Sequence, residues 1–347
     1  MALNGRTVAV FALGGTIATT TDPATGAVVP ALTAAELLDA VPGLTALGVE
    51  LRVHDVRRLP SASLRFADLD ELYRRIAQEL DGGDVDGVVV VQGTDTIEET
   101  SFHFDLLHHG DAPIVFTGAM RNPTLPGADG PANLYAAVLA AAGPWLRGAG
   151  CVVALNDEVH AARTVRKSHT TSTAAFVSPG SGPIALVAEG RVRMLHGQPR
   201  RTALPAGPDR AHTAATAAPR RSPRIALHTV TLDDDATLLD LLDGACDGLV
   251  LAALGGGHVP EWTVPRLRRL AERIPVVLAS RTGCGPVLTR TYGYPGSEQD
   301  LLAAGLIPAG DLDPYKARLL LRHLLATGRT ERGLIADAFA AHSSDRA

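Results

Sequence analysis

The chain has 347 residues, enough for two ordinary domains, and 46% of them are hydrophobic, 20% charged and only 4% aromatic. The core must therefore be aliphatic, built mostly from Ala, Val and Leu. A formal net charge of −5 speaks against a surface made to neutralise nucleic-acid phosphates, so no nucleic-acid partner is expected.

The opening stretch MALNGRTVAVFALGG lacks the basic, apolar and small-residue order of a signal peptide. No uninterrupted apolar run is long enough to span a bilayer, so the expectation is a cytoplasmic protein without membrane contact. Cys151, Cys246 and Cys284 are odd in number and far apart, which is neither a zinc nor a disulfide framework. The twelve histidines show no HExxH or similar spacing, so no metal is expected.

In chain order, the predicted elements of the first half are strand Thr7–Leu13, helix Phe66–Leu80, strand Gly87–Val91, helix Thr96–His109, strand Pro113–Phe116, helix Asp129–Ala142 and strand Cys151–Leu155. The strands are short, rich in Val or Ile and nearly continuous in apolar character. Such runs suit strands buried on both faces of a parallel sheet. Their alternation with amphipathic helices implies right-handed crossovers and helices on both faces. The stretch Gln198–Arg224 is rich in Pro, Arg and Ala without an apolar period, and reads as a linker. Beyond it come predicted strands Ile225–Val230, Gly248–Leu254 and Pro275–Ser280, and helices Thr263–Arg273, Pro314–Ala326 and Thr330–His342. The expected class is α/β. A larger N-terminal domain, 1–197, has a mostly parallel sheet with helices on both faces. A linker, 198–223, leads to a smaller parallel-sheet domain, 224–347.

In open parallel sheets, ligands bind beyond the carboxyl ends of strands. Three such ends carry unusual residues: Gly14-Gly15-Thr16-Ile17-Ala18, Gln92-Gly93-Thr94-Asp95-Thr96 and Leu254-Gly255-Gly256-Gly257-His258. Taken singly, each reads equally well as structure. Gly-Gly-Thr makes a tight turn, Asp95 suits a turn, and Thr96 with Glu99 fits a capping box. Neither N-terminal loop has a phosphate-binding or dinucleotide-binding glycine pattern. Two threonines beside glycines at two strand ends of one domain change the balance. Glycine lets backbone approach a small ligand, and its amides can donate to a developing oxyanion. A threonine hydroxyl can form an acyl intermediate but needs activation. Lys167, in Arg163-Thr164-Val165-Arg166-Lys167-Ser168, is a candidate base if desolvated beside a threonine, and otherwise a solvated surface lysine.

These residues resemble the bacterial-type L-asparaginase family over nearly the whole chain. Gly14-Gly15-Thr16-Ile17-Ala18 looks like its first signature, and Gln92-Gly93-Thr94-Asp95-Thr96-Ile97-Glu98-Glu99-Thr100 like its second. Thr117-Gly118-Ala119-Met120-Arg121, Ala128-Asp129-Gly130-Pro131-Ala132-Asn133-Leu134 and the Lys167 segment match further along. The resemblance implies hydrolysis of L-asparagine to aspartate and ammonia without a cofactor, in a homotetramer built as a dimer of dimers. It implies Thr16 as the nucleophile and Thr94, Asp95 and Lys167 as a second catalytic cluster. It implies a substrate site lined by Gly15, Ser61, Gly93, Thr94, Asp95, Ala119 and His258, with Glu298 reaching into a neighbouring subunit's site. Ser61 would hold the substrate carboxylate, and Asp95 its ammonium. A broader glutaminase-asparaginase, or a non-catalytic amino-acid sensor on the same fold, are the alternatives.

Three positions depart from the family pattern. The tyrosine that the family carries after the first threonine falls near Val29 here, and no tyrosine occurs from Thr19 to Val49. Either Tyr292 or Tyr294, a few residues before Glu298 and delivered from the partner subunit, is expected to take over its role, ordinary packing being the alternative. His258 stands where relatives carry asparagine or serine, and reads as a titrating group or as a loop hydrogen-bond donor. Ala62 follows Ser61 where several relatives carry glutamine.

Overall fold

All six residues of the first strand, Thr7–Ala12, are buried, because both faces of the sheet it belongs to are covered. The computed structural model describes residues 3–21, 28–30, 32–197 and 221–343. Contacts divide the chain into two units, Met1–Arg201 and Thr202–Ala347. Residues 198–220, most of the expected linker, lie outside the described residues, as does the side chain of Val29.

In chain order the first unit holds β1 (Thr7–Ala12), β2 (Thr19–Thr21), β3 (Val28–Pro30), α1 (Ala34–Asp39), β4 (Glu50–Asp55), α2 (Phe66–Asp81), β5 (Gly87–Val91), α3 (Ile97–Leu107), β6 (Ile114–Thr117), α4 (Gly130–Ala142), β7 (Cys151–Leu155), β8 (Glu158–Ala161), β9 (Arg166–Lys167), β10 (Phe176–Val177), β11 (Ala185–Ala188) and β12 (Arg191–Met194). Eight of these strands form one sheet in the order β12-β11-β8-β7-β6-β5-β1-β4. The pairs from β4 to β7 are parallel. The pairs β7–β8, β8–β11 and β11–β12 are antiparallel.

Successive residues of the parallel strands face opposite ways, so a continuous apolar run supplies two cores at once. Val8, Val10, Val89, Val91 and Val115 pack with Leu37 and Leu38 of α1 and with Ala137, Val138 and Ala141 of α4. Ala9, Phe11, Val88, Val90 and Phe116 pack with Leu69, Leu72 and Ile76 of α2 and Phe104 of α3. Helix α4 is buried at every position from Ala136 to Ala142, as expected of a helix with almost no polar face. Its small side chains let its backbone lie on β5, where a Cβ on Gly87 would sit 2.2 Å from the Ala141 carbonyl oxygen.

The second unit holds β13 (Ile225–Thr229), α5 (Thr237–Leu242), β14 (Gly248–Ala253), α6 (Val264–Ala271), β15 (Val276–Ser280), α7 (Glu298–Ala303), β16 (Ile307–Pro308), α8 (Pro314–Ala326) and α9 (Arg332–His342). Its four strands are parallel, in the order β13-β14-β15-β16. Leu239, Leu267, Leu270 and Leu301 of α5, α6 and α7 cover one face. Helix α8 contacts β13, β14 and β15, and α9 contacts β16.

The α/β class and the two sheets agree with the expectation, with several differences. Predicted helix Thr96–His109 is Ile97–Leu107, because Thr96 closes a single 3-10 turn, and predicted helix Thr330–His342 starts at Arg332, because Glu331 is extended. The antiparallel strands β8, β11 and β12 were not expected. Two-residue turns join β7 to β8 and β11 to β12, and in them Asn156 and Asp157 (φ 52° and 61°) and Glu189 and Gly190 (φ 52° and 65°) are left-handed, the conformation that hairpin turns need. Strand β4 was also unexpected, because its side chains are only partly buried and mixed in polarity.

A methyl group on Gly87 must push α4 off β5. Gly87→Ala is expected to lower unfolding stability by ~1–3 kcal/mol, the usual cost of overpacking, as measured by chemical denaturation.

Candidate active site

Strands β1, β5 and β6 are neighbours in register, with Ala12 opposite Val91 and Val91 opposite Thr117. Their carboxyl ends therefore emerge at one level, and three glycine-bearing turns meet there. Gly14 and Gly15 follow β1 with φ of 94° and 98°, conformations that L side chains rarely adopt. A Cβ on Gly15 would lie 2.3 Å from the Gly93 nitrogen, and one on Gly118 would lie 2.4 Å from the Gln92 carbonyl oxygen. A Cβ on Gly93 would lie 2.8 Å from Ser61 Oγ. Thr16 and Thr94 are the residues next after Gly15 and Gly93, so the same backbone contact that requires glycine makes the two threonine-bearing turns neighbours.

Thr94 is buried, and its Oγ1 accepts a 2.8 Å hydrogen bond from Lys167 Nζ. The same amine donates to Asp95 Oδ1 at 2.7 Å. The Lys167 side chain is only 14% exposed, whereas that of Asp95 is 69% exposed. Lys167 is thus no solvated surface lysine, and Asp95 keeps carboxylate surface open to a ligand. Strand β9 carries Lys167 and pairs with β10. The Glu98 carboxylate also accepts from the Lys167 backbone N–H at 2.8 Å, holding the lysine over α3.

The capping box expected of Thr96 and Glu99 does not form, because Thr96 makes no side-chain cap. Its hydroxyl is turned away from the helix end and donates instead to the Ser61 carbonyl at 3.3 Å, tying the Ser61 turn to the Thr94 turn. Ser61 is buried, Ala62 beside it is exposed and Ala119 is buried, its Cβ in the layer that faces Gly130. Among the described residues, the Thr16 hydroxyl makes no hydrogen bond, while its carbonyl accepts from Thr19 Oγ1 at 2.7 Å.

Two bracing residues lay inside matched motifs without an expected role. Asp129 accepts from the backbone N–H groups of Met120 (3.0 Å) and Arg121 (2.9 Å) and from Asn133 Nδ2 (3.0 Å). Asn133 Nδ2 also donates to the Gly118 carbonyl at 2.9 Å, and its Oδ1 accepts from the Asn156 N–H at 2.9 Å. Together they fix the turn Gly118–Arg121. The sequence signal was the helix start Asp129-Gly130-Pro131, with an acid just before it.

In the second unit the structure brings His258, Tyr292, Tyr294 and Glu298 together. Glu298 is fully buried, and its Oε1 accepts from the N–H groups of Thr291 (2.8 Å) and Tyr292 (2.7 Å). Its Oε2 lies 3.2 Å from His258 Nε2. Glu298 starts α7 facing inward, where three donors of its own unit hold it. Burial pushes its carboxyl up, but the Tyr292 and Thr291 amides and His258 outweigh this and hold it below the usual glutamate value. Tyr294 Oη lies 3.1 Å from His258 Nδ1. Among the described residues, no group of three or more His, Cys, Asp or Glu side chains stands where it could hold a metal ion. No helix among them is long and apolar enough to cross a membrane.

Comparison with known proteins follows the same division. Residues 7–200 match the family model "Asparaginase, N-terminal", and residues 224–339 match "Glutaminase/Asparaginase C-terminal domain". A probable L-asparaginase of Deinococcus radiodurans is 37% identical, over 94% of this chain and 95% of its own. A glutaminase-asparaginase of Pseudomonas aeruginosa is 32% identical, over 90% of this chain and 84% of its own. The crystal structure of a probable cytoplasmic L-asparaginase from Campylobacter jejuni superposes with a TM-score of 0.83 at 29% identity, over 96% of this chain and 99% of that one.

The lowered Glu298 value gives a pH dependence with a fixed sign. A carboxyl depressed on folding contributes stability above the ordinary value of 4.5, and that stability is lost as pH falls through the lower folded value. Urea midpoints measured from pH 7 down to pH 3 should fall more steeply in the wild type than in Glu298→Gln, and the variant should already be the less stable protein at pH 7.

Proposed function

The chain belongs to the bacterial-type asparaginase family, and from that membership we propose that it is an L-asparagine amidohydrolase working through a threonine acyl-enzyme. Membership makes the protein an amide-hydrolysing enzyme. The substrate and the residue roles are the further reading. The observation that carries it is the Lys167 amine between Thr94 Oγ1 and Asp95 Oδ1, beside a Gly15 backbone lying on Gly93.

Asparagine is a zwitterion with a neutral side-chain amide, and a site for it needs a carboxylate, several donors and a nucleophile. Asp95, exposed beyond its contact with Lys167, takes the substrate ammonium. Ser61 and neighbouring backbone amides take the α-carboxylate. Thr16 attacks the side-chain amide carbon, and backbone N–H groups of the glycine turns receive the charge that develops on its oxygen. Ammonia leaves, water attacks the acyl-threonine ester, and aspartate is released. The Thr94–Lys167–Asp95 chain positions or deprotonates groups in these half-reactions. Gly15, Gly93 and Ala119 line the site, and no step needs a metal or organic cofactor.

Glutamine is the competing substrate. One extra methylene changes pocket fit by only ~1–3 kcal/mol, and Ala62 beside Ser61 has no polar group with which to oppose it. The same membership supports domains at 1–197 and 224–347, a cytoplasmic homotetramer arranged as a dimer of dimers, and small-molecule rather than nucleic-acid partners.

The test is ammonia release by the purified chain on asparagine and on glutamine. Asparagine is expected to be the better substrate, and Thr16→Ala and Lys167→Met each to lower kcat by on the order of 10³-fold or more. Absence of ammonia from both amides, or full activity in Thr16→Ala, would overturn the assignment.

A further inference from the structure

We propose that Ile17 is a positioning residue for the Thr16 nucleophile, and that its side chain holds Thr16 by filling a slot that exists only because Gly130 has no Cβ. The inference deepens the amidohydrolase reading and rests on it. Every residue that carries it belongs to the unit Met1–Arg201.

The Thr16 hydroxyl makes no hydrogen bond among the described residues, so no side-chain partner aims it. Its direction is set by the backbone on either side. Before Thr16, Gly15 lies against Gly93, where a Cβ would come within 2.3 Å of the Gly93 nitrogen. After it the chain makes one 3-10 turn, Thr16–Ala18, closed by the Ala18 N–H on the Gly15 carbonyl at 3.0 Å. One such turn is too short to hold its own shape, so its packing must hold it. Thr16 is half-buried, while Ile17 beside it is buried in the core between the sheet, α1 and α4.

The seat of Ile17 is specific. A Cβ on Gly130 would lie 2.9 Å from Ile17 Cγ1 and 3.3 Å from its Cδ1, and 3.5 Å from the Ala119 Cβ. The isoleucine thus occupies the space of a missing side chain at the first residue of α4. Gly130 has no left-handed φ, so glycine serves space there and not conformation. In a helix glycine is less favourable than alanine, which leaves the contact with Ile17 as its physical reason. Both walls of the slot are braced. Asp129 accepts from the Met120 and Arg121 N–H groups, and Asn133 Nδ2 donates to the Gly118 carbonyl. The turn that holds Ala119 is therefore tied to the helix that holds Gly130.

Isoleucine is branched at Cβ and stiff at χ1, so seating its side chain also fixes its backbone and the peptide it shares with Thr16. Thr16 stands between two close contacts, each dependent on a glycine: Gly15 on Gly93 before it and Ile17 on Gly130 after it. A displacement of about 1 Å at a nucleophile costs on the order of 10²-fold in rate, so the second contact acts on turnover through geometry alone.

The test is steady-state kinetics on asparagine. Gly130→Ala is expected to lower kcat about tenfold or more with KM within about threefold, because the methyl displaces Ile17 and leaves Asp95 and Ser61 in place. Ile17→Ala should lower kcat comparably, whereas Ile17→Val, which keeps the β-branch, should stay within about threefold of the wild type. Ile76 of α2, also fully buried, is the control for loss of a core isoleucine. Ile76→Ala should lower the thermal midpoint yet keep kcat within about twofold. In the double variant Gly130→Ala/Ile17→Ala the two losses should not add, because the methyl no longer meets Ile17 Cγ1. Far-ultraviolet circular dichroism establishes that each variant is folded. Should Ile17→Ala not fold, Gly130→Ala, which removes no core atom, decides. Wild-type kcat in folded Gly130→Ala, equal losses in Ile17→Ala and Ile76→Ala, or additive losses in the double variant would each overturn the positioning role while leaving the amidohydrolase reading intact. A wild-type chain that releases no ammonia, or a Thr16→Ala variant with full activity, removes instead the reading on which that role rests.

Discussion

Everything at the candidate site depends on one backbone contact, Gly15 against Gly93. With an ideal Cβ on Gly15 only 2.3 Å from the Gly93 nitrogen and 2.4 Å from its Cα, no other residue fits without moving one of the two turns. The contact arises because β1 and β5 are adjacent parallel strands whose ends share a level. A side chain at Gly15 would push the two turns apart. The turns that carry Thr16 and Thr94 would then no longer be neighbours. Gly118, against the Gln92 carbonyl, repeats the device at the next strand end. The sheet thus supplies alignment, and the missing side chains supply proximity.

How much of this can be read without coordinates follows from the range over which each signal acts. The parallel strands buried on both faces were legible because such burial leaves only one pattern, a short apolar run such as Gly87–Val91. The antiparallel strands β8, β11 and β12 were not. They are short, and their signal lies in left-handed pairs at Asn156-Asp157 and Glu189-Gly190, which resemble ordinary loop residues until their partners are known. Strand β4, half-exposed and carrying Glu50, Arg52, His54 and Asp55 around Leu51 and Val53, lacked the continuous apolar run of its neighbours.

The site was legible as residue types and not as contacts. Thr94 and Asp95 stood out beside a glycine, and Lys167 belonged to a recognisable segment. That the amine meets both oxygens depends on a hairpin of two-residue strands and on the Glu98 carboxylate, neither of which has a periodic signature. Thr96 shows how a local rule gives way. The sequence Thr96-Ile97-Glu98-Glu99 satisfies the capping-box pattern, yet the hydroxyl turns to the Ser61 carbonyl and Glu98 turns to β9. Glu298 is a further case where coordinates add what the sequence cannot. Its role was named only through the resemblance, and only the folded loop reveals the two amides of Thr291 and Tyr292 that hold its carboxylate.

Those two amides belong to a device that recurs in the chain. Asp129 accepts from consecutive N–H groups of Met120 and Arg121, and Glu298 from those of Thr291 and Tyr292. Glu98 accepts from the N–H of Lys167 itself. In each case a carboxylate from a helix or its first turn holds the backbone of a loop that bears or borders the candidate chemistry. Loops of this kind have little apolar surface with which to pack, because the residues they present must be polar and reachable. A charged acceptor on two adjacent amides substitutes for packing, since hydrogen bonds to an ionised group are roughly twice as strong as neutral ones. It also fixes direction as well as position, because an N–H must point at its acceptor. An amide side chain in the same place offers only one oxygen and adds donors that need partners of their own, so Asp and Glu are the side chains suited to these clamps. The acids that look like candidate catalytic groups in the sequence therefore divide by what faces them. Those that meet backbone amides hold the loops in place, and Asp95, which meets a side-chain amine and solvent, is left free to bind.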